Sequence, residues 1–339
     1  MHAPLASTES IDARALLKQV SAFRQPRTGR SLFELAVTAL PFALLWAAMW
    51  ALLSAGHDWG LLLTIPAGGF LLRLFLIQHD CGHGAFFKRQ SSNDWLGRLL
   101  GVFTLTPYEY WRRSHATHHA TTGNLELRGV GDIDTLTVAE YRSLSRLGRL
   151  RYRIYRNPIV LFGIGPAYLF LLRHRLPVGM MRAGWRPWAS ALGTNAGIAV
   201  FAGLLIWAMG WKLFLLIFLP TTLVAASLGV WFFYVQHQFE QTHWSAKDDW
   251  SFHEAALHGS SYYVLPGLIR WFSANIGMHH IHHLASRIPF YRLPEAMREV
   301  PILSRIGRLT IGESFRTVRL ALWDDQARRL ISFREARLA

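Results

Sequence analysis

Four apolar runs of membrane-spanning length constrain what this 339-residue chain can fold into. A helix that crosses the hydrocarbon core of a bilayer needs about 20 consecutive, mainly apolar residues. Arg73 is the one charged residue within the four runs, which cover residues 35–55, 60–78, 188–210 and 213–235. The runs predict an all-α, polytopic membrane protein with four transmembrane helices. A fifth apolar stretch, 159–172, is too short to span and is expected to lie at the membrane interface.

The connections between the runs predict how the spans are arranged. Only residues 56–59 join the first two runs, and only residues 211–212 join the last two, so each pair forms a tight antiparallel hairpin. Both turns then lie on one side of the membrane. The N-terminal arm (1–30) and the segments between and after the hairpins lie on the other side, where they form a helical cap. We therefore expect one membrane-embedded domain over residues 1–339.

The formal net charge of +15 follows this topology, because 34 of the 36 lysines and arginines lie on the side of the cap. Positive charge marks the cytoplasmic side of a membrane protein. Both termini and the cap are therefore expected in the cytoplasm, with anionic lipid rather than nucleic acid as the partner of the basic face. Arg73, near the end of the second run, is expected to extend its cation to the interface.

Histidines cluster in three places that this topology brings to the cytoplasmic face. The sequences are HDCGH at 79–83, HATHH at 115–119 and HHIHH at 279–283, and a further histidine follows the fourth run. Residues i, i+3 and i+4 share one face of a helix, so each cluster can aim two or three imidazoles at one point. Nine ring nitrogens exceed the needs of one ion and suit two ions with open positions, although imidazole alone does not select among zinc, copper, iron and nickel. The candidate metal ligands are His79, His83, His115, His118, His119, His237, His279, His282 and His283.

These three clusters resemble, in order and in position, the three histidine boxes of the membrane fatty acid desaturase family. The four-residue spacing of the first box and the stretches 233–240, 253–261 and 275–283 are most similar to the acyl-lipid branch, which contains Δ12/ω-6 and ω-3 enzymes. The resemblance implies a centre of two non-haem iron ions held by the eight box histidines, with His237 as a further ligand from the last membrane helix. The acyl-CoA branch has an asparagine where this chain has Phe233.

Two other residues inside the first box have expected roles. Asp80 is placed to accept a hydrogen bond from the free N–H of a ligand imidazole, which would fix its tautomer. Cys81 is expected to be a small buried side chain rather than an iron ligand.

The resemblance also implies an activity, namely the O2-dependent introduction of a cis double bond into a lipid-linked acyl chain, most simply of the Δ12/ω-6 type. Removing hydrogen from adjacent methylenes requires O2 and a redox metal, which disfavours zinc. The sequence contains no nucleotide-binding fingerprint, so electrons are expected from a separate, ferredoxin-like donor. An acidic donor would suit the basic cytoplasmic face.

Two other function classes remain open. A related di-iron membrane oxygenase (fatty acyl hydroxylase, carotenoid ketolase or hydroxylase, or alkane hydroxylase) would use the same ligands and differ in the fate of the substrate. A metal transporter would place its ligands near the bilayer midplane. The histidine clusters here lie beyond the span ends, which disfavours transport.

Overall fold

Helices make up most of the chain in the computed structural model, which describes residues 12–129 and 131–338. Residues 1–11 of the expected N-terminal arm lie outside the described part. In chain order the helices are α1 (Ala13–Val20), α2 (Thr28–Ser54), α3 (Thr64–Gly82), α4 (Gln90–Phe103), α5 (Tyr108–Thr121), α6 (Val138–Ser143), α7 (Arg146–Tyr155), α8 (Gly165–Ala167), α9 (Trp185–Met209), α10 (Trp211–His237), α11 (Phe252–His258), α12 (Gly267–Phe272), α13 (His279–Leu284), α14 (Leu293–Glu299), α15 (Ile311–Thr317) and α16 (Glu335–Leu338).

The four predicted spans are present as α2, α3, α9 and α10, each long and apolar enough to cross a membrane. A 3₁₀ helix over Asp58–Leu63 leads directly into α3. The helices extend past the apolar runs, since α2 already begins at Thr28 and α10 continues to His237. Polar residues can continue a helix beyond the hydrocarbon core, so the apolar run is shorter than the helix.

The spans form the two expected hairpins. Gly210 is the only residue between α9 and α10, and its φ of 79° permits the sharp reversal that a residue with a side chain rarely adopts. Helix α3 lies at the centre of the bundle. Of the 18-residue apolar segment of each span, 61% is buried in the span that contains α3, compared with 17% in α2, 6% in α9 and 33% in α10. The helix that ends in the first histidine box is therefore the one most enclosed by protein.

Close packing of α3 against α10 depends on Gly68. A Cβ atom at this position would lie 2.5 Å from Cγ1 of Val224, closer than carbon atoms approach. The glycine thus lets the two backbones approach each other, and these are the helices that carry the first histidine box and His237.

The expectation that Arg73 extends to the interface is wrong. Its side chain is 1% exposed and forms an ion pair with Glu34 of α2, itself 2% exposed. Arg73 also donates to Oγ1 of Thr38 at 3.1 Å and to the carbonyl of Trp271. A buried arginine needs a carboxylate and further acceptors, and α2 and α12 provide them.

Between the two hairpins, the chain contains a broken helix. Helix α7 is followed by a second helical stretch over Val160–Arg175, of which α8 is the middle, and the two stretches meet at an angle of 60°. The apolar run 159–172 lies in this second stretch.

Five short strands, which the sequence analysis did not predict, join parts of the otherwise helical cap. Strands β1 (Leu136–Thr137), β4 (Leu320–Asp324) and β5 (Arg329–Ser332) form one sheet in the order β1-β4-β5, with β1 parallel and β5 antiparallel to β4. Strands β2 (Tyr262–Val264) and β3 (Arg308–Thr310) form a parallel pair. The strands attach the C-terminal segment to residues 136–137 and 262–264.

Candidate metal centre

Four helices bring the histidines of the three boxes and His237 together. The first box lies at the C-terminal end of α3, with His79 inside the helix and His83 as its C-cap. The second box lies on α5, and the third forms most of α13. His237 is the last residue of α10, the second helix of the second hairpin, and it lies beside the boxes.

Five of the nine histidines form one group, which we call the five-histidine group. Nε2 of His115 lies 3.0 Å from Nε2 of His79, of His83 and of His119. Nε2 of His119 lies 3.1 Å from Nε2 of His282. One donor atom from each residue lies within 4.8 Å of every other, for His79, His83, His115, His119 and His282.

The other four histidines form a second, buried group, the four-histidine group. Nε2 of His279 lies 2.9 Å from Nε2 of His237 and 3.1 Å from Nε2 of His283. The donors again lie within 4.8 Å of one another, for His118, His237, His279 and His283. The nine predicted histidines thus divide into two groups, and His280 belongs to neither because its Nε2 bonds to the carbonyl of Leu303 at 2.9 Å.

Helices α5 and α13 each contribute histidines to both groups. His118 and His119 are adjacent on α5 but belong to different groups, and the same is true of His282 and His283 on α13. The rings of His119 and His283 stack across the boundary with centroids 4.0 Å apart. The two groups are therefore neighbours held by the same helices.

The donor geometry fits two metal ions. A metal–nitrogen bond of about 2.1 Å places neighbouring nitrogens about 3.0 Å apart in an octahedral arrangement and about 3.4 Å apart in a tetrahedral one. The nearest nitrogens in both groups are 2.9 to 3.1 Å apart, and all donors of a group lie within 4.8 Å of one another. A six-coordinate ion would keep one position open in the five-histidine group and two in the four-histidine group. Nε2 of His118 is buried and has no hydrogen-bond partner in the described structure, as expected for a nitrogen that binds an ion.

Burial keeps five of the nine imidazoles neutral. Burial, and secondarily the neighbouring histidines, lowers the pKa well below 6.5 for His115, His119, His279, His282 and His283. A neutral imidazole has a free lone pair, and metal binding requires that form.

Asp132 is a residue of the site that the sequence analysis missed. Its carboxylate pairs with Nδ1 of His118, which leaves Nε2 of that ring for the four-histidine group. Burial by itself raises the pKa of Asp132, but His118 next to it brings the pKa below its usual range. Asp132 lies in a loop with no periodic pattern, so only a search for carboxylates near the boxes would have found it. The carbonyl of Gly259 lies 3.3 Å from Nδ1 of His237 in a similar position.

The close contact of the Asp80 carboxylate is with the backbone of Phe290 rather than with a histidine ring. Its Oδ2 accepts the N–H of Phe290 at 2.7 Å, whereas Oδ1 lies 3.6 Å from Nδ1 of His79, beyond hydrogen-bond distance. Asn275, just before the third box, donates to the carbonyl of the same Phe290 at 3.1 Å. Phe290 thus links the first box to the third. Cys81 is fully buried, in agreement with its expected role as a small core side chain.

Phe233 packs directly against the four-histidine group. Its ring centroid lies 5.1 Å from that of His118 and 5.2 Å from that of His237. An apolar ring therefore faces the four-histidine group from the position one turn before His237.

Comparison with known proteins places these residues in a family. Residues 58–307, which contain all three boxes, match the family described as fatty acid desaturase. The chain is 43% identical over 321 residues to a fatty acid desaturase of Bacillus subtilis, which covers 95% of this chain and 91% of that protein. It is 33% identical over 257 residues to an sn-1 acyl-lipid omega-3 desaturase (ferredoxin) of Synechocystis sp., covering 71% of this chain and 67% of that protein. A protein of the same name from Nostoc sp. is 28% identical over 309 residues, covering 88% of this chain and 80% of that protein.

The match agrees with the site itself, in which two membrane helices and the cap helices α5 and α13 bring nine histidines into two adjacent groups. Four apolar helices identify a multi-pass membrane protein. With the family match over most of the chain, the protein is an oxidoreductase that belongs to the fatty acid desaturase family.

Proposed function

We propose that this protein uses two non-haem iron ions, one in each histidine group, to introduce a cis double bond into a lipid-linked acyl chain. The observation that carries the proposal is the division of nine imidazoles into adjacent groups of five and four. The donor set contains only nitrogen, which does not by itself select the metal. The removal of hydrogen from methylenes requires a redox-active metal rather than zinc.

In the proposed reaction, two neighbouring methylenes lose one hydrogen each. These two hydrogens, together with O2, two electrons and two protons, form two molecules of water. Iron bound in these groups supplies the oxidation that an acid or base side chain cannot perform. The protein holds the imidazoles close together, and Asp132 and Gly259 orient His118 and His237. Phe233 keeps one side of the four-histidine group apolar.

For the position of the double bond, we propose the Δ12/ω-6 type, one of the two types in the acyl-lipid branch that the box spacing favours. The second candidate is the ω-3 type, because relatives at 33% and 28% identity are named omega-3 desaturases. Both reactions act on lipid-linked chains and differ in the methylene pair that reaches the metal centre.

The electron donor in this proposal is a separate ferredoxin-like protein. The names of two relatives include ferredoxin. The large excess of arginine and lysine on the cap suits an acidic carrier, because opposite charges accelerate encounter. We also propose that the cap and both chain ends face the cytoplasm, on the basis of the same charge distribution.

Expression in a host that contains both oleoyl and linoleoyl lipids tests the activity. Mass spectrometry of the lipids should show a new double bond, at Δ12 for the first candidate and at ω-3 for the second. His282→Ala should abolish the product, whereas His57→Ala, at an exposed position in the first hairpin turn, should leave it unchanged.

Two outcomes would contradict the proposal. Incorporation of oxygen into the chain would identify a hydroxylase or related oxygenase instead. Metal analysis of the purified protein provides a separate test, since about two irons per chain are expected and a predominance of zinc would overturn the iron assignment.

A further inference from the structure

Helix α7 turns an apolar face away from the protein. Leu147, Leu150 and Ile154 are 55%, 53% and 52% exposed. At 100° per residue these three side chains fall within an arc of about 60°. Tyr152, on the opposite side of the helix, is buried and packs in the cap. The outward face of α7 is therefore its apolar stripe, which is the reverse of the arrangement on a helix that faces water.

Arginines border this stripe. Arg146 and Arg151 lie about 40° beyond its two edges, and Arg149 lies further round the helix. All three side chains are exposed. None of them forms an ion pair with a carboxylate of the described residues. The charges on both sides of the stripe thus lack a counter-charge within the described protein.

The residues that follow the C-terminal end of α7 fix its position relative to the bundle. The apolar stretch that follows the 60° bend packs on the last span, where the rings of Phe162 and Trp231 are 5.1 Å apart. Arg156, directly after α7, is buried and donates to the carbonyl of Leu320 at 2.6 Å and to Oε1 of Gln238 at 3.1 Å. Gln238 adjoins His237, so α7 lies at the level where the membrane helices end.

We propose that α7 lies in the membrane surface and binds anionic phospholipid. Its leucine and isoleucine side chains enter the acyl region, and Arg146, Arg149 and Arg151 contact headgroup phosphates that carry a net negative charge. A helix with an apolar stripe between rows of cations is the arrangement that binds an anionic leaflet. The proposal does not depend on the desaturation reaction, because it concerns lipid bound outside the histidine groups.

Depth measurement tests the orientation. Leu150→Cys and Arg149→Cys each introduce an accessible thiol, since the native Cys81 is buried. With a nitroxide label on protein in phosphatidylcholine–phosphatidylglycerol nanodiscs, the Leu150→Cys label should collide with O2 and be protected from a water-soluble nickel chelate. The Arg149→Cys label should show the opposite ratio. Equal access of the nickel chelate to both labels would overturn the proposal.

Lipid binding tests the charge. Spin-labelled phosphatidylglycerol should be immobilised by the wild-type protein in preference to labelled phosphatidylcholine, and Arg146→Gln/Arg149→Gln/Arg151→Gln should reduce that preference by at least about fivefold. Arg287→Gln/Arg298→Gln/Arg305→Gln removes the same charge from exposed positions elsewhere and should retain the preference. Loss of the preference in both triple variants, or in neither, would contradict the assignment to α7.

Discussion

His118 is held by a residue that lies outside every histidine box. Because Asp132 takes its Nδ1, the ring presents Nε2 to the four-histidine group. A carboxylate in this position fixes the tautomer and makes the imidazole a better ligand. The carboxylate is thus part of the site even though it does not face the ion.

Replacement of Asp132 should weaken metal binding to the four-histidine group. We expect Asp132→Asn to lower the affinity about 10- to 100-fold, because the amide does not stabilise the same tautomer of His118. Competition with a chelator, followed by the metal content of the protein, measures the change. Asp134→Asn, an exposed neighbour in the same loop, is the control and should bind metal as the wild type does. Equal affinities for Asp132→Asn and the wild type would show that the contact does not orient the ligand.

Asp80 should act on stability through Phe290. Asp80→Ala leaves the N–H of Phe290 buried without an acceptor, which should lower the free energy of unfolding by about 1–3 kcal/mol. Asp80→Asn keeps an acceptor oxygen and should lose less. Thermal unfolding in detergent compares the two variants, and an asparagine variant as unstable as the alanine variant would assign the carboxylate a different role.

At the scale of helices, the Arg73–Glu34 pair connects α2 and α3, and through Trp271 also α12. Helix α12 lies a few residues before the third histidine box. The pair therefore fixes the segment that leads into α13 against the helix that carries the first box.

Removing one member of this pair should be more harmful than removing both. Arg73→Met leaves the buried Glu34 with the half-exposed Arg30 as its remaining partner, and we expect a loss of about 3 kcal/mol in the free energy of unfolding. Addition of Glu34→Gln should recover a large part of that loss, because no charge then remains buried. A double-mutant cycle on purified protein gives the coupling energy, and purely additive losses would show that the two side chains act independently.

At the scale of the whole molecule, the buried imidazoles make the metal-free protein sensitive to acid. Burial holds the pKa well below 6.5 for His115, His119, His279, His282 and His283. In the unfolded chain these groups titrate near 6.5, so below that pH the unfolded state binds protons that the folded state does not.

The stability of the metal-free protein should therefore fall as the pH drops from 7 to 5. Each such histidine contributes a slope of up to about 1.4 kcal/mol per pH unit. Thermal unfolding after chelation, at a series of pH values, measures the effect. A variant with alanine at His282 should show a shallower dependence, and a flat profile for the wild-type apoprotein would contradict the burial of neutral imidazoles.

The sequence predicts the parts of this protein that follow from local chemistry. Apolar runs indicate the four spans, and helical spacing identifies nine histidines that the structure brings together. The division into groups was not predictable, because it depends on how α5 and α13 face each other. Asp132 and the partner of Arg73 come from distant segments, and no local pattern marks such contacts. The short strands were missed since two to five residues carry too little periodicity.

The alternation of His118 with His119, and of His282 with His283, has a consequence for how this protein can be altered. A deletion, a helix exchange or a one-residue insertion in α5 or α13 changes the lining of both groups at once. Only point substitutions of individual histidines change one group without the other. A variant designed to bind one ion must therefore keep every helix and replace selected histidines. A change in the length or register of α5 or α13 therefore alters both groups together.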